Sequence, residues 1–232
     1  ENSCIRVEFS KTTGDICSLY DKRSKKNIIE KECKAILLDE TEADTWAHDK
    51  ISLGEPAGMF DRPEFSVIED GNIRTTLRVT TRYNQSLLQR DYTITPGSDI
   101  LQVKVKVDFH EKHKTLKFTF PAKGQEVIAK IPYGTISRRK ELGEEPCGSW
   151  LAAGGLCVAN DSKYGYDTTT EEMRLTVLRS AVYADHFGVR DEFCEYMEQG
   201  IHEFTYTVFP YENCCTAERR AEELNFGLRP VK

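Results

Sequence analysis

A two-residue alternation of apolar and polar positions dominates the chain. In "ILQVKVKVDF", Leu101, Val103, Val105, Val107 and Phe109 are apolar, while Gln102, Lys104, Lys106 and Asp108 are polar. Successive side chains of a strand point to opposite faces, so this stretch sets one face against a core and the other in water. "NIRTTLRVTTRY" repeats the pattern with Ile73, Leu77, Val79 and Tyr83, and the turn-rich "TPGSD" at 95–99 punctuates the region. Shorter versions occur in "CIRVEF", "ICSLYD", "TLKFTF", "RLTVLR" and "HEFTYTVF", with turn residues at Gly14–Asp15 and Asp70–Gly71–Asn72. Only "TAERRAEELNFG" reads as helix, with Thr216 placed to cap its first turn and Gly227 to end it.

At least ten strands with no alternating βαβ pattern predict an all-β fold, a large antiparallel sandwich with one short C-terminal helix. Long connections fall at 39–63 and 138–150. No internal repeat, low-complexity tract or linker interrupts the pattern, so the expectation is a single β-sandwich domain over 1–232.

Composition narrows the function classes. Hydrophobic residues make up 39% of the chain and charged residues 30%, enough apolar material for a sizeable core. The net charge is −6 with Lys and Arg dispersed, which leaves no electrostatic footprint for nucleic acid or an acidic membrane surface. No run approaches the ~20 apolar residues that cross a bilayer, and "ENSCIRVEFS" lacks a signal-peptide pattern. The eight cysteines, including vicinal Cys214–Cys215, read as mostly buried thiols of a cytoplasmic protein rather than a disulfide framework.

Candidate chemistry is sparse. Neither a Gly-x-Ser-x-Gly elbow nor a phosphate-binding loop is present, and His110 and His113 form only a weak metal signal. Asp39, Glu40, Glu42, Asp44 and Asp49 crowd "LLDETEADTWAHDK", where a solvated acidic loop is the simpler reading. Glycoside hydrolysis needs two carboxyl groups about 5–9 Å apart, and no motif says which two would meet. Trp46, among these acids and beside His48, is the kind of surface on which a sugar ring stacks; a core-capping role is the alternative. Arg179 ends a strand ahead of Asp185 and His186, where a guanidinium clamps a carboxylate or a hydroxyl pair, or serves as an ordinary ion-pair partner.

Several stretches, in order, resemble the C-terminal half of glycoside hydrolase family 38, the retaining α-mannosidases. They are "IRVEFSKTTGDICSLYDK", "LKFTFP", "YGTISRR", "EEPCGSW", "VANDSKYGYD", "LTVLRS", "GIHEFTYTVFPY" and "AEELNFGLRP". The departures are Glu198 and Tyr211, where similar sequences carry Asp and His, and a missing proline-rich segment after Ala181. The resemblance implies a galactose-mutarotase-like super-sandwich. It also implies that the nucleophile and a divalent ion, zinc or calcium, belong to an N-terminal α/β domain followed by a three-helix bundle, both absent here.

On that reading no catalytic residue, cofactor or metal ligand falls in this chain. Its partners would be its own N-terminal catalytic domain and an α-mannoside substrate, with a homodimer left open. The implied substrate-binding residues are Trp46, Asp49, Arg179 and Asp185. "NDSKYGYD" becomes an architectural strand-to-strand loop, with Gly165 relaxing the turn and Tyr164 packed inward. A stand-alone carbohydrate-binding or mutarotase-like module and a purely structural interaction domain are the competing readings. A severed domain would expose an apolar docking face, whereas a binding module would hold sugar by itself.

Overall fold

A computed structural model describes residues 1–43, 45–48, 50–183 and 195–227. Its strands are β1 (Ile5–Phe9), β2 (Ile16–Asp21), β3 (Lys26–Ile29), β4 (Ala35–Asp39), β5 (Glu55–Met59), β6 (Asp61–Asp70), β7 (Thr75–Tyr83), β8 (Ser86–Ile94) and β9 (Leu101–Phe109). They continue as β10 (Lys114–Pro121), β11 (Glu126–Ile131), β12 (Gly134–Arg139), β13 (Glu145–Pro146), β14 (Trp150–Ala153), β15 (Leu156–Asn160), β16 (Gly165–Thr168), β17 (Glu172–Ser180) and β18 (Gly200–Pro210). A single helix, α1 (Cys214–Phe226), follows.

The expected antiparallel sandwich is what these strands build. A nine-stranded sheet runs β12-β11-β14-β15-β18-β9-β8-β7-β6, a six-stranded sheet runs β13-β16-β17-β10-β4-β5, and a small sheet pairs β1-β2-β3. The alternation in β9 does what its sequence demands: Leu101, Val103, Val105, Val107 and Phe109 are buried, and Gln102, Lys104 and Lys106 are exposed. Across the core, Phe118 and Phe120 of β10 meet Phe204 and Tyr206 of β18 with ring centroids 5.7–5.9 Å apart, the spacing of favourable tilted and edge-to-face pairs. Ile5, Ile16, Leu19 and Ile29 of the small sheet join the same core.

Several strands, among them β10, β14 and β15, depart from the one-face pattern. In β14 and β15 every residue is buried, because α1 lies over the outer face of the nine-stranded sheet. Leu151, Ala153, Leu156 and Val158 enter the central core, while Trp150, Ala152, Cys157 and Ala159 pack with Ala217 and Ala221 of the helix. Trp150 is fully buried, and its indole N–H donates to Glu218 Oε2 at 2.9 Å, so the polar handle of the largest ring is satisfied. The cap of α1 is Asn213, whose side-chain oxygen accepts from the Thr216 N–H, and not Thr216 itself. Gly227 ends the helix at φ 59°, a conformation that suits glycine.

The polar loop "NDSKYGYD" is not a hairpin turn. It carries the chain from β15 in the nine-stranded sheet to β16 in the six-stranded one. Asn160 makes the crossing possible: fully buried, its Oδ1 accepts from the N–H groups of Ser162 and Lys163 at 3.1 and 2.6 Å. Tyr164 is 62% exposed rather than packed inward, and Gly165 does not adopt a left-handed conformation. A Cβ on Gly165 would instead sit 3.1 Å from Glu144 Oε1. Of the seven described cysteines, Cys33, Cys147 and Cys157 are buried, Cys4, Cys17 and Cys214 are half-buried, and Cys215 is exposed; none forms a disulfide.

Candidate functional site

The sequence-selected residues that the structure describes meet at one corner of the six-stranded sheet. Here the C-terminal end of β4, the N-terminal end of β10 and the C-terminal end of β17 lie side by side: Lys114 pairs with Asp39 on one flank and Ser180 on the other, and Thr115 with Leu38 and Arg179. From this corner residues 40–54 leave as the β4–β5 connection, carrying Trp46.

Arg179 fastens that connection to the sheet. Its Nε donates to Glu40 Oε2 at 2.6 Å and its Nη1 to the Thr45 carbonyl at 2.6 Å, while the Thr45 hydroxyl donates to the Val182 carbonyl. Glu40 is 2% exposed; burial pushes its carboxyl pKa up, and the neighbouring guanidinium opposes that rise. Beside it, Asp39 is held down to about 2 by hydrogen bonds from the Thr41 hydroxyl and backbone N–H and by Lys114 at 3.0 Å. Two adjacent acids, one ending β4 and the other opening the connection, therefore shift in opposite directions from their ordinary values because one is dry and the other is wet and well hydrogen-bonded. Asp39, Glu40, Glu42, Lys50, Leu53 and Glu55 help line a cleft of about 500 Å³ beneath the connection.

Trp46 is 57% exposed, and its ring centroid lies 6.0 Å from that of His48. Asp49 and Asp185 lie outside the described residues. The histidine pair is split: His110 Nε2 approaches Asp108 Oδ1 at 2.8 Å, and His113 Nε2 meets the Tyr196 hydroxyl at 2.9 Å. Among the described residues, no group of three or more His, Cys, Asp or Glu side chains converges to hold a metal ion.

Sequence reasoning missed a second set of charges on the same sheet face. Lys117 is completely buried, with its Nζ 2.5 Å from Glu144 Oε2, 2.9 Å from Thr176 Oγ1 and 3.3 Å from Asp167 Oδ1. Asp167 is in turn gripped by both nitrogens of the Arg174 fork. Lys117 alternates with Leu116 and Phe118 in "TLKFTF", as a solvent-facing residue would; its burial comes from segment 140–148, which folds over this face. The one signal in the sequence was the length of the 138–150 connection.

The fold and corner thus define a β-sandwich scaffold that presents an exposed indole and a carboxylate-bound arginine at one end. The sequence profile of the Glycosyl hydrolases family 38 C-terminal domain matches residues 1–187, and the chain belongs to that family. Alpha-mannosidase G of Dictyostelium discoideum is 24% identical over 241 residues, covering 91% of this chain and 21% of its own length. Alpha-mannosidase 2C1 of Homo sapiens is 26% identical over 160 residues, or 62% of this chain and 14% of its own. The crystal structure of an α-mannosidase from Enterococcus faecalis V583 superposes with a TM-score of 0.77 at 12% identity, over 95% of this chain and 30% of that one. The chain therefore spans about a fifth or less of the curated relatives it matches.

Proposed function

We propose that this chain is the sandwich portion of an α-mannosidase that hydrolyses terminal α-mannosides with retention, acting in mannose and glycan catabolism in the cytoplasm. Bond cleavage, with its nucleophile and divalent ion, belongs to a catalytic domain carried elsewhere on the polypeptide, and these strands serve as scaffold and pocket wall. The observation that carries the reading is family membership over residues 1–187 together with an exposed Trp46 on a connection fixed by Arg179. Trp46 stacks on a sugar ring, Asp49 and Asp185 accept from sugar hydroxyls, and Arg179 holds the wall in register, contributing binding geometry rather than acid–base chemistry.

The edge strand β6 supports a covalently joined neighbour. Phe65, Val67 and Ile68 are 42–62% exposed along it, the type of open apolar edge that natural proteins cover. A stand-alone sugar-binding module draws no comparable support, since the outer face of β7–β8–β9–β18 presents Arg78, Asp91, Lys104, Lys106 and Glu203 without an aromatic platform.

The test has two arms. The isolated chain should not turn over an aryl α-mannoside with or without added divalent ions, and turnover would place the nucleophile here. In the intact polypeptide, Trp46→Ala should lower kcat/KM about 10-fold or more; an unchanged rate with a lower melting temperature would assign the ring to stability alone.

A further inference from the structure

The Trp46 connection has two legs, and Arg179 holds the first. The second leg, at Ile51, touches segment 140–148: the Glu144 N–H donates to the Ile51 carbonyl at 2.8 Å. Contact here is so close that a Cβ on Gly143 would lie 2.4 Å from both Ile51 Cγ2 and the Ile51 carbonyl oxygen, and Gly143 has φ +96°. Only glycine satisfies both the backbone and the approach.

Glu144 then turns its side chain the other way, into the sheet. Its Oε2 meets buried Lys117 and its Oε1 accepts from the Thr176 hydroxyl, in space that Gly165 leaves open. The segment is pinned at its ends by the Lys140 N–H to the Gln125 carbonyl, the Glu141 N–H to Thr168 Oγ1, and the Cys147 N–H to the Tyr164 carbonyl. Lys117 and Arg179 lie on either side of a register shift between Leu116 and Lys117, in the pairings Lys117↔Thr176 and Thr115↔Arg179 of β10 with β17.

We propose that segment 140–148 is a strap that positions the Trp46 connection, with Glu144 as the positioning residue linking Ile51 to the buried Lys117 cation. A charge-assisted bond to a cation already fixed by Asp167 and Thr176 gives the strap one geometry, and the Gly143–Ile51 approach transmits it to the connection. The Trp46 ring thus rides between two buried anchors, Glu40–Arg179 and Glu144–Lys117. Its consequence for substrate rests on the reading of Trp46 as a sugar-facing ring.

The experiment is hydrogen–deuterium exchange resolved by peptide mass spectrometry on the intact polypeptide. Gly143→Ala should raise exchange in peptides spanning 41–54 about 10-fold while β10 and β17 stay protected. Gly124→Ala is the matched control, because Gly124 has φ +98° and a Cβ there meets nothing within 4 Å. Equal effects of the two substitutions on 41–54 would overturn the strap. Glu144→Gln keeps the N–H to Ile51 but weakens the bond to Lys117, and it should raise exchange in 140–148 and 41–54 together, even if Gly143→Ala does not fold. A rise confined to 140–148 would also overturn it. Looser exchange in 41–54 with unchanged kcat/KM on an aryl α-mannoside would leave the strap standing and remove Trp46 from the substrate pocket.

Discussion

Arg179→Met offers a direct test of how the corner is held. The substitution keeps much of the side-chain volume but strips, among the described residues, the contacts to the buried Glu40 carboxylate and to the Thr45 carbonyl. Removing one partner of a buried ion pair costs about 3–5 kcal/mol, and Arg179 is itself 18% exposed, so about 3 kcal/mol is expected at neutral pH. At about 2–4 °C per kcal/mol for a chain of this size, the melting temperature should fall by roughly 6–12 °C. The sign of the pH dependence follows from Glu40. Its folded pKa is raised by burial, so the favourable contribution of its neutral form is present below the unfolded value of about 4.3 and is lost as pH climbs through the folded value. Without the guanidinium the folded value rises further, and the penalty extends to higher pH. Below about pH 4.3 Glu40 is neutral in both states, and the difference between variant and parent shrinks to lost hydrogen bonds such as that to Thr45, about 1 kcal/mol each. Thermal melting followed by circular dichroism from pH 4 to 7 should therefore show a gap that widens with pH. A gap that stays constant, or one below about 2 °C at pH 7, would refute the argument.

The remaining expectations concern the frame. Arg90→Met should destabilise by about 3–5 kcal/mol in urea titration, because it strands Asp15, which is fully buried 2.6 Å from Arg90 Nη1; adding Asp15→Ala should recover a large part of the loss. Asn160→Ala should cost roughly 2 kcal/mol by chemical denaturation, since it removes the buried acceptor of two backbone N–H groups that shape the crossing between sheets. Gly54→Ala should destabilise by more than about 1 kcal/mol, read as a lower melting temperature, because Gly54 has φ +62° and the new Cβ would lie 2.1 Å from the Asp39 carbonyl oxygen.

The sequence by itself determined the strands whose faces divide cleanly into water and core. The period-two run of β9 needs no distant partner to say which side is buried, and turns at Gly14 and Gly71 fall between consecutive strands for the same local reason. Helix α1 was legible from its composition, although its cap was misread by three residues, because Asn213 and Thr216 both carry suitable oxygens and only backbone geometry separates them. Tertiary structure alone decided which residues are dry on a second face. Lys117 occupies a position that alternation assigns to solvent, and its burial depends on Glu144, 27 residues away; Arg179 meets Glu40 across 139 residues. Trp150 and Cys157 are buried only because α1 returns over β14 and β15. A local pattern records the preference of each side chain for water or apolar surroundings, but not which later segment will remove the water, and the corner that carries Trp46 is built from such long-range meetings.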